Sequence, residues 1–201
     1  MDKLLKSISY IFHPLLMPII GVAFYYYISP RFIAEQILHA KLISLLILTI
    51  ILPILMFFLL RTLGKAQTIH LKTTRERIYP LALNCFITIL VIKRVITITQ
   101  SLELYYFFVG ILISNMACLT LAVFKFKASI HMIGISGLFM FFIAIGVQFG
   151  INITGTLAFI ALAIGAVATS RLHLNAHTSR ELIFGFFVGL IPQLLLINFW
   201  M

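Results

Sequence analysis

The sequence predicts an all-α fold, a polytopic bundle of six to seven transmembrane helices. First, 62% of its residues are hydrophobic and only 10% are charged, more apolar surface than a soluble domain of this size can bury. Second, apolar runs of about the 20 residues needed to cross a bilayer follow one another along nearly the whole chain. We therefore expect residues 1–201 to form a single integral membrane domain.

Seven segments have a length near that of a membrane span: 8–28, 42–60, 78–99, 104–124, 130–150, 154–170 and 181–199. The first is the least regular, because "HPLLMP" places Pro14 and Pro18 in its opening turns. Proline interrupts the helical hydrogen-bond ladder, so we expect a kink here, or a re-entrant segment that would leave six spans.

Basic residues are concentrated in the connections on one side of the predicted bundle. The formal net charge is +10, and the connections 61–77, 125–127 and 171–180 carry most of it. Such charges set orientation and attract anionic headgroups or phosphate, so we do not expect nucleic acid as a partner. The positive-inside rule places this side in the cytoplasm.

These three connections bring together one set of chemical groups. They offer arginine and lysine cations, hydroxyls and histidines, with one carboxylate, Glu181, near a histidine. This set suits a phosphate-like anion, whereas a divalent metal would require more carboxylates. Cys85 and Cys118 lie in apolar segments without metal-ligand spacing. We expect no metal and no other cofactor.

The segment "SRLHLNAHTSRE" (170–181) has the most informative spacing. His177 and Glu181 are four residues apart, so if the last helix begins near His177 the carboxylate can orient the imidazole. Gly185 and Gly189 continue this row and would let a neighbouring helix approach closely. The simpler interpretation is a cytoplasmic loop whose charges only set topology.

Three segments together resemble a known family: "KTTRERIYP" (72–80), "ASIH" (128–131) and "SRLHLNAHTSRE" (170–181). They are similar to the K-x6-R-P, P-S-G-H and S-R-x5-H-x3-D motifs of the type 2 phosphatidic acid phosphatase family, which is related to the vanadium-dependent haloperoxidases. The resemblance covers about 72–189 and implies a core like that of this family. The sequence departs from the motifs at Tyr79, Ala128, Ile130 and Glu181.

The resemblance implies a role for each matching residue. His177 would be the nucleophile, Glu181 its orienting carboxylate and His131 the general acid. The phosphate would be bound by Lys72, Ser129, Ser170, Arg171 and the backbone amide of Ile130. The family requires no metal.

The most serious departure is Tyr79, which stands where the first motif has an arginine. An arginine donates two parallel hydrogen bonds to phosphate, whereas a tyrosine donates one. Arg75 and Arg77 are candidates to replace it. Arg75 lies three residues after Lys72 and would share its helical face.

The family's activity would make this chain an integral membrane phosphatase that hydrolyses a lipid phosphate or pyrophosphate through a phosphohistidine intermediate. Its partner would be a membrane lipid bearing that group. One alternative is a non-catalytic relative that binds a phosphorylated lipid or scaffolds membrane proteins. A second is a small transporter that uses Lys93 and Arg94.

The resemblance implies location in a bacterial inner membrane. The charge bias puts the site on the cytoplasmic side, whereas many bacterial relatives act on the periplasmic side. The sequence leaves the oligomeric state open.

Overall fold

The structure is a computed structural model that describes residues 2–64 and 73–201. Within these ranges the regular structure is entirely helical, which confirms the predicted all-α class. The described residues form nine α-helices: α1 (Asp2–Ile11), α2 (Met17–Ile28), α3 (Glu35–Leu46), α4 (Leu52–Thr62), α5 (Thr74–Arg94), α6 (Leu102–Val123), α7 (Ile130–Phe149), α8 (Thr154–His173) and α9 (Ser179–Leu196).

In the part of the chain that the structure describes, six helical segments are long and apolar enough to cross a membrane: Leu5–Ile28, Glu35–Thr62, Leu102–Val123, Ile130–Phe149, Thr154–His173 and Ser179–Phe199. The chain is thus built as an integral membrane protein. Helix α5 is a further long helix of 21 residues, about 30 Å in length, which packs along α6. Charged residues are concentrated at both of its ends, with Arg75, Glu76 and Arg77 at the start and Lys93 and Arg94 at the end.

Helix α5 begins four residues before the predicted segment 78–99 and ends at Arg94. The hydroxyl of Thr73 accepts a hydrogen bond from the backbone N–H of Glu76 and so caps the first turn. Because of this cap, α5 includes a charged first turn that precedes the span predicted from hydropathy.

The first segment is kinked at the two prolines, as predicted. Helix α1 ends at Ile11, a 3-10 turn covers Pro14–Leu16, and α2 begins at Met17. The side chain of His13 caps the turn by accepting a hydrogen bond from the backbone N–H of Leu15 at 3.3 Å.

Helices α3 and α4 join without a break through a π-helical turn at Ile47–Ile51. Pro53 lies directly after this turn, and its ring has no N–H and crowds the carbonyl four residues earlier. The wider turn accommodates that crowding, while Thr49 donates its hydroxyl to the carbonyl of Leu45 at 2.8 Å.

Helix α7 is the centre of the bundle and packs chiefly against α9, α8 and α2. Gly185 and Gly189 permit the close contact between α7 and α9. A Cβ at Gly185 would lie 2.8 Å from the carbonyl oxygen of Ser129, and one at Gly189 would overlap the carbonyl of Ile133. The predicted small-residue row therefore does bring a neighbouring helix close.

The end of the bundle far from the basic connections is tied together by Glu103 at the start of α6. Its carboxylate is fully buried. It accepts hydrogen bonds from Arg31 at 2.5 Å and from the hydroxyl of Tyr25 at 3.0 Å. A buried carboxylate needs such partners, and these anchor the connection between α2 and α3 to α6.

Candidate active site

Two similar turns bring the basic connections back to the bundle. Lys125 follows α6 and Asn175 follows α8, and both adopt left-handed backbone conformations with φ of 63° and 50°. Asparagine tolerates this conformation well, and such a residue typically closes a helix C-terminus. The chain then reverses, so that the residues after each turn lie over the start of α7 or α9.

The start of α9 positions His177 and Glu181. Thr178 is the N-cap, and Glu181 completes a capping box in which its Oε2 accepts from the backbone N–H of Thr178 at 3.0 Å. The same Oε2 lies 3.0 Å from Nδ1 of His177. The helix begins at Ser179 rather than near His177 as predicted, so the carboxylate reaches back across the cap to the imidazole.

The start of α7 carries the second motif. The backbone N–H of Ser129 donates to the carbonyl of Glu181 at 3.1 Å, which joins the second and third motifs directly. The Ser129 hydroxyl is buried and has no hydrogen-bond partner among residues 2–64 and 73–201. Ile130 is the first residue of α7, where backbone N–H groups have no partner within the helix and favour an anion.

The end of α8 carries Ser170 and Arg171, which differ in their contacts. The Ser170 hydroxyl donates to the carbonyl of Leu5 at 2.6 Å and lies 2.8 Å from the Ser9 hydroxyl, so α1 already engages it. Arg171 contacts the Ser9 hydroxyl at 3.5 Å through Nη1, whereas its buried Nε finds no partner in the described part of the chain. Arg171 therefore retains donor capacity.

The first motif contributes Arg77. This residue is 5% exposed, and its Nη1 donates to the carbonyl of Ala128 at 2.9 Å, beside Ser129. Arg75 and Tyr79 both lie on the exposed surface of α5. Of the two candidates for the missing arginine, only Arg77 reaches the second motif. Lys72 lies outside the residues that the structure describes.

His131 faces the N-terminal segment. Its Nε2 lies 3.2 Å from the carbonyl oxygen of Ser9. Since a carbonyl only accepts, this nitrogen donates and carries the proton. The ring of His13 packs edge-on against that of His131, with 5.4 Å between ring centroids.

A cavity of about 1030 Å³ connects Arg77, His131, Arg171 and His177 to the apolar interior of the bundle. Its volume is at the upper end of the range for small-molecule sites. One end, which we call the cationic end, is lined by Lys6, Ser9, His13, Arg77, Lys127, His131, Arg171 and His177. The other end, the apolar arm, is lined mainly by Pro53, Ile54, Phe57, Phe58, Leu83, Ile87, Phe107 and Ile111.

No family model, curated protein or solved structure matches this chain.

Burial and three basic side chains set the protonation of His177. Burial, followed by the charges of Arg77, Lys127 and Arg171, lowers the pKa of His177 to about 3, although a hydrogen bond to the Lys127 backbone opposes this. Burial and the charge of Arg77 also lower the pKa of Lys127. The imidazole is therefore neutral near pH 7, and the excess of positive charge around it favours an anionic ligand.

Within residues 2–64 and 73–201, no group of three histidine, cysteine, aspartate or glutamate side chains comes together as a metal site. The polar groups at the cationic end are mostly donors. Donors suit the oxygens of a phosphate, whereas a metal requires ligand lone pairs.

The motif resemblance assigned no role to Ser9 or Lys127, although Lys127 belongs to one of the basic connections. Lys127 donates to the carbonyl of Ala176 at 3.0 Å, beside His177. Its position two residues before Ser129 in "KFKASIH" was the available signal. Ser9 reaches the site only because α1 packs against α8, and no sequence spacing reveals that contact.

Proposed function

We propose that this chain is an integral membrane phosphatase that hydrolyses a phosphate or pyrophosphate ester of a membrane lipid. One observation carries the proposal: a single cavity joins a neutral, carboxylate-paired histidine and three basic side chains to an apolar arm inside the bundle. An amphipathic ligand with an anionic head fits both ends.

The cationic end supplies the donors that a phosphoryl group requires. Arg77 and Arg171 offer guanidinium groups, and Lys127 adds a third positive charge. Arg77 takes the place of the arginine that the first motif lacks at Tyr79. Ile130 lines the cavity, and the first backbone amides of α7 add neutral donors.

The reaction proceeds in two displacements. Nε2 of His177 attacks phosphorus while Nδ1–H donates to Glu181, and the bond from phosphorus to the lipid oxygen breaks. His131 lines the cavity and relays a proton from the solvent to that oxygen as the lipid alcohol leaves. Water then attacks the phosphohistidine, His131 accepts a proton from it, and inorganic phosphate is released.

The proposal includes a core like that of the type 2 phosphatidic acid phosphatase family and a place in the bacterial inner membrane. The basic connections put the cationic end on the cytoplasmic side. Cysteine labelling tests the side, with His173→Cys and Asn152→Cys compared in a variant that lacks Cys85 and Cys118. The two new cysteines lie at opposite ends of α8, so reagent from outside intact cells should reach only position 152.

Phosphate release by the detergent-solubilised chain tests the activity against a panel of phosphatidate, phosphatidylglycerol phosphate and polyprenyl pyrophosphate. We expect His177→Ala to abolish release. His173→Ala is the matched control, because His173 belongs to the same connection but does not line the cavity. Release that is equal in wild type and His177→Ala on every lipid would exclude the enzyme and leave a non-catalytic lipid-binding protein.

A further inference from the structure

A second polar cluster lies in the apolar arm, away from the cationic end. It consists of Asn84 and Thr88 on α5 and Asn115 on α6, and all three line the cavity. Asn84 is seven residues after Arg77, which places it on the same helical face about 10 Å deeper. The arm therefore contains a hydrogen-bonding position at a defined depth below the basic side chains.

Within this cluster, the side chains of Thr88 and Asn115 form hydrogen bonds to the protein, whereas Asn84 takes part only through its backbone carbonyl. The Thr88 hydroxyl donates to the carbonyl of Asn84 at 2.7 Å, and the amide of Asn115 lies 3.4 Å from the Thr88 hydroxyl. Ser114 and Gln193, also on the wall, donate to the carbonyls of Val188 and Phe107. These contacts tie the helices together, as polar side chains commonly do in membranes.

The side-chain amide of Asn84 has no hydrogen-bond partner among the described residues. An amide turned toward an apolar space without a partner is costly, and polar groups inside a membrane usually serve a function. The contact between α5 and α6 does not need it, because Thr88 and Asn115 already provide the interhelical bond.

We infer that Asn84 is a specificity-determining residue that donates a hydrogen bond to an acyl carbonyl of the bound lipid. The inference rests on the proposed function, since it assumes a lipid whose phosphate is held at the cationic end. In a glycerolipid the ester carbonyls begin a short distance from the phosphate and are strong acceptors. An isoprenoid tail carries no acceptor there, so the ligand is an ester-linked lipid.

Binding of two lipids that differ only in this acceptor tests the inference. The probes are dioleoyl phosphatidate and its dialkyl ether analogue, measured by displacement of a fluorescent lipid phosphate from the full chain in detergent. His177→Ala serves as the background so that no turnover occurs. We expect the ester to bind about tenfold more tightly, the factor that one hydrogen bond provides.

Asn84→Leu should remove this preference by weakening the ester alone, while the ether analogue keeps its affinity. Ser114→Ala is the control, since its hydroxyl lies on the same wall but is already used by Val188. It should retain the preference.

Three results would overturn the inference: equal affinity for ester and ether in the parent, an unchanged preference in Asn84→Leu, or no saturable binding of either lipid. A failure of the proposed function looks different. In that case the chain releases no phosphate in a manner that depends on His177, whatever the ratio of the two affinities.

Discussion

Oε2 of Glu181 lies 3.0 Å from Nδ1 of His177, although His177 precedes the first residue of α9. The same oxygen accepts the backbone N–H of Thr178, so one carboxylate both caps the helix and orients the imidazole. Capping boxes favour glutamate at this position, because its longer side chain reaches back to the N-cap. This accounts for glutamate where the similar family motif has aspartate.

Glu181→Gln should separate these two tasks. Glutamine also completes a capping box, so we expect the free energy of unfolding to change by less than about 0.5 kcal/mol. The charge that stabilises the imidazole during attack is lost, and kcat for phosphate release should fall by roughly two orders of magnitude. Thr178→Ala is the reverse control, which should cost about 1 kcal/mol of stability while it retains most activity. Equal activity losses in the two variants would contradict the assignment.

Arg77 and Arg75 offer a matched pair for the first motif. Arg77 is buried and contacts the second motif, whereas Arg75 is exposed on the same helix. We expect Arg77→Met to lower kcat/KM for phosphate release by about 100-fold or more, the usual cost of one donor to a transferring group. Arg75→Met should remain within about twofold of wild type. A larger effect at Arg75 would reverse the choice between the two.

The helical class was predictable from the apolar runs of spanning length. The gathering of the basic connections was predictable because an even number of predicted spans separates them, which places them on the same side of the membrane. Arg77, Lys127 and Arg171 line one cavity, as the same-side arrangement requires. The choice between Arg75 and Arg77 was not predictable. It depends on the helical phase, which the Thr73 cap sets at the start of α5.

The contribution of the first segment to the site could not be predicted from the sequence either. Ser9 and Ser170 are separated by 161 positions, yet their hydroxyls lie 2.8 Å apart. Their contact arises from the packing of α1 on α8, which depends on the bend at Pro14 rather than on a motif. Long-range packing of this kind leaves no signal in one sequence.

The pH dependence should report the charges around His177. The attacking nitrogen must be unprotonated, and the pKa of His177 is lowered to about 3 by burial and then by Arg77, Lys127 and Arg171. Removing a neighbouring cation makes the protonated form less unfavourable, so Lys127→Gln should raise this pKa toward its ordinary value. The acid limb of kcat/KM should then move to higher pH, measured from about pH 2 to pH 7 so that the range includes the lowered pKa of His177.

Lys125→Gln is the control for this shift. Lys125 precedes Lys127 by two residues and is exposed. Its charge is not among those that lower the pKa of His177. Both variants remove one positive charge, so a general effect of net charge would move both profiles equally. An unchanged acid limb in Lys127→Gln would exclude His177 as the titrating nucleophile.

The contact between α7 and α9 gives a prediction about stability and activity together. A Cβ at Gly185 would lie 2.8 Å from the carbonyl oxygen of Ser129, a backbone atom that cannot rotate away. Gly185→Ala should therefore force the two helices apart and cost about 1–3 kcal/mol of unfolding free energy. Because Ser129 donates its N–H to Glu181, the same displacement should lower phosphate release.

Gly165→Ala in α8 is the control, since a Cβ there meets nothing within 4 Å. That change should stabilise the helix by about 0.4–1 kcal/mol and leave activity unchanged. Thermal denaturation in one detergent would measure both, and equal melting temperatures for the two variants would show that the helices do not depend on glycine at this contact.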